Sequence, residues 1–320
     1  MIIGLNNQKV RHHNKQVLLA LLYQLKEASK STLARHCELS IPAVSKILDE
    51  LVADGAISHS EQNLSLRGIN GGSYRIASGK GAILCLNISP TSLESILVDS
   101  LITLLDEFSG QKIAPQTPEE LLRLIEAHYY QHKRRHKGLA IRLALAVHGQ
   151  VNPATGVSQT MPQAPWHAPV ELKYLLEERL GCEVMVDNDC IMLALAQKWQ
   201  GREGNGDFCV INVDYGIGSA FIINGQIYRG ALFGSGQIGH TIINPDGSAC
   251  ACGRYGCLET VASLFAIKKR ARVFLKQQAS ADNPARAGGE LDTAQLIALY
   301  HQGDAMISTL VDEGARSIGL

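Results

Sequence analysis

The most specific residue spacing in the chain lies between positions 239 and 259, where the sequence is GHTIINPDGSACACGRYGCLE. His240 supplies one imidazole, and Cys250, Cys252 and Cys257 supply three thiols. This ligand set is typical of tetrahedral Zn²⁺, and four protein ligands leave no open coordination position. We therefore predict a closed, structural zinc site rather than a catalytic one. The alternative is a chance cluster of free cysteines.

The remaining cysteines are scattered along the chain: Cys37, Cys85, Cys182, Cys190 and Cys209. That distribution favours reduced thiols over a disulfide framework. The chain has 320 residues, 46% of them hydrophobic and 19% charged, which is enough for two or three folded domains. It contains no run of about 18 uncharged apolar residues and no secretory leader. These features predict a cytoplasmic protein without membrane insertion.

Three predicted helices occupy the first part of the chain. The first spans 14–28, a short second one spans 31–36, and the third spans Ser40 to Leu51 after a tight turn, with Ser40 as its cap. The predicted buried stripe of the third helix is Ile41, Val44, Ile47, Leu48 and Leu51. This order of helices is typical of a helix-turn-helix, whose last helix enters the major groove of DNA.

The residues after the third helix predict a wing. Residues 56–76 alternate weakly between apolar and polar side chains and contain Gly71 and Gly72, which indicates two strands joined by a turn. We predict that DNA is contacted by small, hydroxyl-bearing or basic side chains of these regions, namely Thr32, Ser40, Pro42, Ala43, Ser45, Lys46, Arg67 and Arg75. A packing or dimerisation module is the alternative for the three helices.

The distribution of charge favours a nucleic-acid partner for the first segment only. The whole chain carries 30 basic and 30 acidic side chains, whereas residues 1–80 carry ten Lys and Arg against six Asp and Glu. A second basic run, 133–137, lies at the end of a predicted helix, where the helix dipole favours cations. We interpret that run as a solvated helix terminus and not as a nucleic-acid patch.

The segment from Gly239 to Glu259 resembles the signature of the ROK family, which groups repressors, open reading frames and kinases. The resemblance extends over most of the chain and includes the motifs DND (187–189) and DYGIG (214–218), each after a strand-like run. Only the repressor branch of the family carries an N-terminal winged helix-turn-helix. The layout is similar to that of the bacterial repressors of glucose and N-acetylglucosamine uptake genes.

The resemblance implies an α/β architecture in which a winged helix-turn-helix over 1–80 precedes an actin-like, two-lobed domain of the sugar kinase type. The lobes are expected at 81–200 and 201–320, with the zinc loop in the second lobe and a sugar cleft between the two. The implied sugar contacts are Asn188, Asp189, Gln237, His240 and Glu259. In the kinases of the family, the aspartate that matches Asp189 is the base for the sugar hydroxyl.

Three departures separate this chain from the family kinases. The stretch LNISPT (86–91) has neither the acid nor the glycines of an Asp-x-Gly-Gly-Thr phosphate loop. Gln237 replaces the family glutamate, which exchanges a charged acceptor for an amide that also donates. The chain ends at Leu320, inside a helical run that begins near Ala305, so the second lobe is expected to be incomplete. We therefore predict no catalytic residue; Asp189 would be one only in a kinase.

Two of these motifs also have purely structural interpretations. Asp187 and Asp189 lie close to the start of a predicted helix, where acidic side chains serve as caps. Gly216 and Gly218 predict a hairpin over 213–221 with no role in phosphate binding.

The sequence as a whole predicts a sugar-responsive, DNA-binding transcriptional regulator, a repressor of carbohydrate uptake or metabolism genes that binds operator DNA as a homodimer or homotetramer. Its effector would be a sugar or a sugar phosphate, and the resemblance adds a phosphotransferase-system protein as a candidate partner. Two alternatives stay open. One is an ATP-dependent sugar kinase with an accessory DNA-binding head, which Asp189 favours; the other is a degenerate paralogue that pairs with a full-length repressor.

Overall fold

The computed structural model describes residues 7–60, 72–79, 81–200, 206–278 and 291–319. The chain divides into two compact units. The first consists of Met1–Cys85, Ser95–Ser109 and Ala127–Ala144, and the second of Leu86–Glu94, Gly110–Glu126 and Leu145–Leu320. The three-domain division with boundaries at 80 and 200 stays a prediction. Within the described ranges, no helix combines the length and the apolar character that crossing a membrane requires.

Helices and strands alternate along most of the chain. The helices are α1 (Asn7–Leu25), α2 (Lys30–His36), α3 (Ile41–Ala53), α4 (Pro118–Arg135), α5 (Leu172–Leu180), α6 (Asp189–Gln200), α7 (Glu259–Ala262), α8 (Leu264–Gln278), α9 (Thr293–His301) and α10 (Ala305–Ile318). The strands are β1 (Ala28–Ser29), β2 (Ile57–Ser60), β3 (Ser73–Ile76), β4 (Gly81–Ile88), β5 (Ser92–Asp99), β6 (Ser109–Lys112), β7 (Ala140–Val147), β8 (Gln150–Asn152), β9 (Val157–Thr160), β10 (Val184–Asn188), β11 (Phe208–Val213), β12 (Ile217–Ile223) and β13 (Gln226–Tyr228).

The first three helices form the predicted helix-turn-helix, with shifted bounds. α1 ends at Leu25 rather than at residue 28, because Lys26 adopts a φ of 65°, outside the helical region. Ser29 caps α2 by accepting a hydrogen bond from the Thr32 N–H at 3.1 Å. Ser40 caps α3 as predicted, since its hydroxyl accepts from the backbone N–H at position 43 at 3.4 Å.

These helices pack around one apolar cluster. Val44, Ile47, Leu48 and Leu51 of α3 are buried in it together with Leu18, Leu22 and Leu33, which confirms most of the predicted stripe. Burying a leucine side chain contributes roughly 1.5–3 kcal/mol, so this cluster holds the three helices together. Ile41 is 53% exposed, and its assignment to the stripe is wrong. It occupies the first turn of α3, which extends beyond the buried cluster.

The two strands predicted after α3 are confirmed. β2 and β3 pair antiparallel from Ile57 with Ile76 to Ser60 with Ser73, and β1 adds a third strand to the other side of β3. Tyr74 of β3 is buried against the helices. Residues 61–71, with the predicted wing tip and Arg67, lie outside the described residues.

A five-stranded sheet positions the groups that come together farther along the chain. Its strand order is β10, β7, β4, β5, β6, so the ends of β4, β7 and β10 lie side by side. His148 follows directly after β7, and its N–H donates to the Ile88 carbonyl at the end of β4 at 2.9 Å. Asn188, the last residue of β10, donates through its side chain to the Gly149 carbonyl at 2.7 Å.

A further three-stranded sheet consists of β11, β12 and β13, paired antiparallel in that order. Val213 pairs with Ile217, which confirms the hairpin predicted at Gly216 and Gly218. Helix α6 packs on β12 through Cys190, Ile191, Ala194, Ala220 and Ile222, all of them buried. Because Asp189 begins α6, this packing fixes its place next to the hairpin.

Candidate functional site

The predicted metal ligands come together. The ligand atoms of His240, Cys250, Cys252 and Cys257 all lie within 4.8 Å of one another. The Sγ atoms of Cys252 and Cys257 are 3.7 Å apart, and the Cys250 Sγ is 3.5 Å from the His240 Nδ1. A tetrahedron with Zn–S bonds of about 2.3 Å has edges of about 3.8 Å. These four side chains therefore form a group that is able to hold a metal ion.

Glycines let the loop close around this group. Gly256 has a φ of 66°, and a Cβ there would lie 1.4 Å from the carbonyl oxygen of Asn244. Gly239 precedes His240 in a 3-10 turn at Ile238–His240, and a Cβ there would lie 2.1 Å from the Ile217 carbonyl oxygen. A larger residue at either position would displace the backbone and, with it, a side chain of the metal-binding group.

The three thiols differ in acidity. Burial raises the pKa of Cys250 to about 12 and raises that of Cys257 as well. Burial also acts on Cys252, but the backbone N–H of Arg254 hydrogen-bonds its sulfur and the pKa is lowered overall. Cys252 is thus the thiol that ionises most easily, and a cation that binds here must displace protons from the other two.

A cavity of about 330 Å³ lies beside the cluster. We call it the acidic cavity, because four carboxylates line it: Glu94, Asp189, Asp214 and Glu259. His148, Asn188, Gln237 and His240 line it too, so all five predicted sugar contacts lie around one space. The His240 Nδ1 faces the thiols, which leaves its Nε2 for a ligand in the cavity.

Asp189 and Asn188 are held by a network of hydrogen bonds. The Asp189 Oδ1 accepts from the Cys190 N–H and from the Asn188 Nδ2, each at 2.8 Å. Its other oxygen, Oδ2, faces the His148 Nδ1 at 3.3 Å. The Asn188 side chain also accepts from the Ile191 N–H at 3.1 Å, so Asn188 is the residue that caps α6.

His148 is a residue of this site that sequence reasoning missed. Burial lowers its pKa, but the hydrogen bond to Asp189 and the charges of Asp189, Glu259 and Asp214 outweigh burial and raise it above 6.5. Its Nε2 is buried and has no hydrogen-bond partner in the described part of the chain. The available clue was its place directly after the strand-like run 139–147.

Glu259 is buried at the start of α7 and receives hydrogen bonds from distant parts of the chain. Its Oε2 accepts from the Ile217 N–H at 3.3 Å, and its Oε1 accepts from the Gln163 Nε2 at 3.3 Å. A Cβ at Gly216 would lie 2.5 Å from Oε2, so a larger residue there would displace the Glu259 carboxylate. Gln163 has a φ of 64°, a strained conformation for a residue with a side chain.

Asp187 does not cap the helix. Its carboxylate accepts two hydrogen bonds from Arg229, at 2.9 Å to Oδ1 and 2.6 Å to Oδ2, and it is buried. A bidentate guanidinium–carboxylate pair fixes both partners in one geometry. Arg229 thereby attaches the segment after β13 to the end of β10, a role that the sequence pattern did not indicate.

In the turn between β4 and β5, the backbone N–H groups of Ser89, Thr91 and Ser92 are bonded within the turn. The Ser89 Oγ accepts from the Thr91 N–H at 3.2 Å and from the Ser92 N–H at 3.0 Å, and the Ser89 N–H donates to the Ser92 carbonyl. A phosphate loop needs such N–H groups to point at the ligand. Here they are already bonded within the turn.

The predicted DNA contacts fall into two groups. One group is exposed: it consists of the cap residue Ser40 together with Pro42, Ala43 and Lys46 of α3, and Arg75 of β3. The Arg75 Nε donates to the Ser58 hydroxyl at 3.3 Å. The hydroxyls of Thr32 and Ser45 have partners in the protein: Thr32 contacts the Ser29 Oγ at 2.9 Å, and Ser45 accepts from the Lys30 Nζ at 2.8 Å. Lys30 is a basic residue next to α3 that sequence reasoning missed. Arg67 lies outside the described residues.

A helix-turn-helix head followed by an actin-like domain of the sugar kinase type is the class of protein that these features define. The ROK family model matches residues 83–320, and the MarR family model matches residues 13–67, the helix-turn-helix segment. The chain therefore belongs to the ROK family.

Similar proteins share both parts of the chain. The uncharacterised protein YphH of Escherichia coli K12 is 55% identical over 318 residues, which cover 99% of this chain and 79% of that protein. The xylose repressor of Caldicellulosiruptor bescii is 27% identical over 85% of this chain and 69% of its own length. The solved structure of a ROK family transcriptional regulator, a homologue of the E. coli MLC protein, superposes with a TM-score of 0.75 over 96% of this chain and 79% of that one, at 22% identity.

Proposed function

We propose that this chain is a sugar-responsive, DNA-binding transcriptional regulator that represses genes of carbohydrate uptake or metabolism. The observation that carries the proposal is the combination in one chain of a helix-turn-helix with an exposed α3 face and a ROK domain with a polar, acidic cavity. The alignment with a xylose repressor, which covers 85% of this chain, supports repression over sugar phosphorylation.

In this proposal α3 reads operator DNA. Ser40, Pro42 and Ala43 allow the first turn to approach base edges, and Lys46 reaches a phosphate or a guanine edge. Arg75, and Arg67 from the wing, would contact phosphate. A homodimer or homotetramer in the cytoplasm would place two heads on a pseudo-palindromic operator.

The acidic cavity holds the sugar. Asp189 and Glu259 accept hydrogen bonds from ring hydroxyls, and the amide of Asn188 donates or accepts. Gln237 and the His240 Nε2 bind from the side of the His240, Cys250, Cys252 and Cys257 group. The Nε2 of His148, which has no partner among the described residues, adds a hydrogen-bonding group that a sugar hydroxyl would satisfy. We also propose Zn²⁺ as the ion of the His240, Cys250, Cys252 and Cys257 group; when bound, it supplies structural cross-linking of the loop that carries His240 and ends at Glu259.

An ATP-dependent kinase needs a place for the donor phosphates. The internally bonded turn at Ser89 opposes that alternative, although Asp189 sits where a base for a sugar hydroxyl would be required. We therefore propose that the cavity binds its ligand without catalysing a reaction on it. A phosphotransferase-system protein is a candidate second effector.

The test is fluorescence anisotropy of the full chain on DNA from its own promoter region at fixed salt, with and without a panel of sugars and sugar phosphates. We expect specific binding that one sugar weakens; a tenfold loss of operator affinity corresponds to about 1.4 kcal/mol of coupling. Lys46→Ala should weaken binding and reduce the salt dependence by about one ion, whereas the charge-matched control Lys276→Ala, on α8, should change neither. Absence of specific binding, together with sugar-dependent ADP release, would favour the kinase.

A further inference from the structure

A second and larger cavity opens next to the acidic one. Its volume is about 900 Å³, and it is lined by Gln150, Thr160, Gln163, Trp166, Gln237 and His240, among others. We call it the neutral cavity, because none of the described residues that line it is an Asp, Glu or Lys. Its ionisable residues are His240 and Cys252, which belong to the metal cluster, and His167 and Arg254, which are both exposed.

The chemistry of the neutral cavity suits a sugar ring. The Gln237 amide, the Gln150 Oε1 and the Thr160 hydroxyl donate or accept without carrying charge, while the Gln150 Nε2 already donates to the Leu232 carbonyl at 2.6 Å. The half-buried indole of Trp166 offers a flat apolar surface, which matches the C–H face of a pyranose. A carbohydrate has polar hydroxyl groups at its edge and an apolar C–H face, which these polar side chains and this indole complement.

The two cavities adjoin. Pro162, Gln237 and His240 line both of them, whereas Asn188 and Asp189 line the acidic cavity alone. A ligand that is held at Asp189 and is longer than one ring would reach the neutral cavity past His240 and Gln237. Gln163 lines the neutral cavity and also donates to the Glu259 Oε1 at 3.3 Å, so it joins the second cavity to a proposed sugar contact of the first.

The two volumes differ in what they accommodate. Ligand pockets range from about 300 to 1,000 Å³, and the acidic cavity lies at the lower end of that range while the neutral cavity lies near the upper end. One sugar ring suffices for the first space. A free monosaccharide would fill only the acidic cavity. The uncharged polar groups and the indole of the neutral cavity would then stay in contact with solvent.

We propose that the effector is a glycoside of at least two sugar units, with one ring in the acidic cavity and the next ring stacked on Trp166 in the neutral cavity. The proposal rests on the proposed sugar-sensing function and names its ligand class. It predicts that disaccharides bind more tightly than their component monosaccharides.

The chain offers a direct reporter, since it contains only two tryptophans, Trp166 and Trp199. Trp199 is on α6, outside both cavities, and is 44% exposed. In the full chain with Trp199→Phe, all indole emission arises from Trp166. We would titrate this variant with glucose, maltose, cellobiose, xylose, xylobiose, galactose and melibiose, and measure binding in parallel by calorimetry.

We expect one of the disaccharides to bind and to shift the Trp166 emission, and its component monosaccharide to bind at least about tenfold more weakly without a shift. Trp166→Ala should weaken the disaccharide about tenfold and leave the monosaccharide unchanged, while Trp199→Ala should change neither. Equal affinities for both sugars with no change in Trp166 emission would overturn the inference and leave the sugar sensor standing. If none of the sugars binds, the proposed sensing function falls together with the inference.

Discussion

Two walls of the acidic cavity, the turn between β4 and β5 and the region around His148 and Asp189, differ in whether their hydrogen-bonding groups are already satisfied. On one side, the turn between β4 and β5 satisfies its own N–H groups through the Ser89 hydroxyl. On the other, around His148 and Asp189, a buried imidazole nitrogen is left without a partner in the described chain, and carboxylates converge from α6, α7 and the hairpin. The turn side is closed by its own hydrogen bonds, whereas the side proposed to bind sugar keeps hydrogen-bonding groups for a ligand.

This difference indicates how a kinase fold is able to serve as a sensor. Binding a polyol needs hydrogen-bond partners on one wall, whereas transferring a phosphoryl group also needs N–H groups aimed at the donor on the other. Replacing the phosphate loop with a self-bonded turn removes the second requirement and leaves the first intact.

The largest expected effect is loss of the ion proposed for the His240, Cys250, Cys252 and Cys257 group, because His240 and the nearby Glu259 line the side of the cavity proposed to bind sugar. Cys252→Ser should remove the metal and lower the free energy of unfolding by about 3 kcal/mol or more, because metal binding is part of the folding free energy of such a loop. Zinc content and urea unfolding measure this. Cys209→Ser, at an exposed thiol, is the control and should leave both unchanged. Full zinc content in Cys252→Ser would disprove the four-ligand assignment.

The next effect compares carboxylates on the two sides. Asp189→Asn should weaken sugar binding about 10- to 100-fold, because hydrogen bonds to a charged acceptor contribute roughly 1.5–3 kcal/mol. Glu94→Gln alters a carboxylate on the side of the β4–β5 turn and should have little effect. Calorimetric titration with the effector measures both. Equal losses in the two variants would mean that the walls are not functionally distinct.

The contribution of His148 to the free energy of unfolding should depend on pH. The pKa of His148 is raised in the folded protein, so its charged form contributes stability below about pH 6.5, and that contribution is lost as pH rises through the folded-state pKa. The difference in unfolding free energy between the wild type and His148→Gln should therefore shrink from pH 6 to higher pH. Urea denaturation across that range tests it; a difference that grows with pH would contradict the assigned direction.

The smallest effect concerns the closed wall. Ser89→Ala frees the N–H groups of Thr91 and Ser92 and should cost about 1 kcal/mol of unfolding free energy without creating ATP binding. Thr91→Ala keeps both hydrogen bonds and serves as the control. Tight binding of a fluorescent ATP analogue to the wild type would show that the turn is not closed in solution.

Much of the fold and part of the site were predictable because they depend on short spacings. The metal ligands lie within eighteen positions of one another, and glycines at 239 and 256 mark where the loop must turn. The apolar stripe of α3, the cap at Ser40 and the hairpin after Val213 follow from helical and strand periods. Ile41 shows the limit of prediction from periodicity. The helical period places it in the buried stripe, yet it is exposed, because its burial depends on where the core ends.

The sequence by itself determined which residues are able to hold a metal, which helix presents a free face for DNA, and which turn lacks a phosphate loop. Only the tertiary structure decided what the charged groups of the cavity do. His148 reaches Asp189 across 41 positions, Arg229 reaches Asp187 across 42, and Gln163 reaches Glu259 across 96. No local period records such pairs, because they form only when strand order brings distant chain ends to one edge of a sheet.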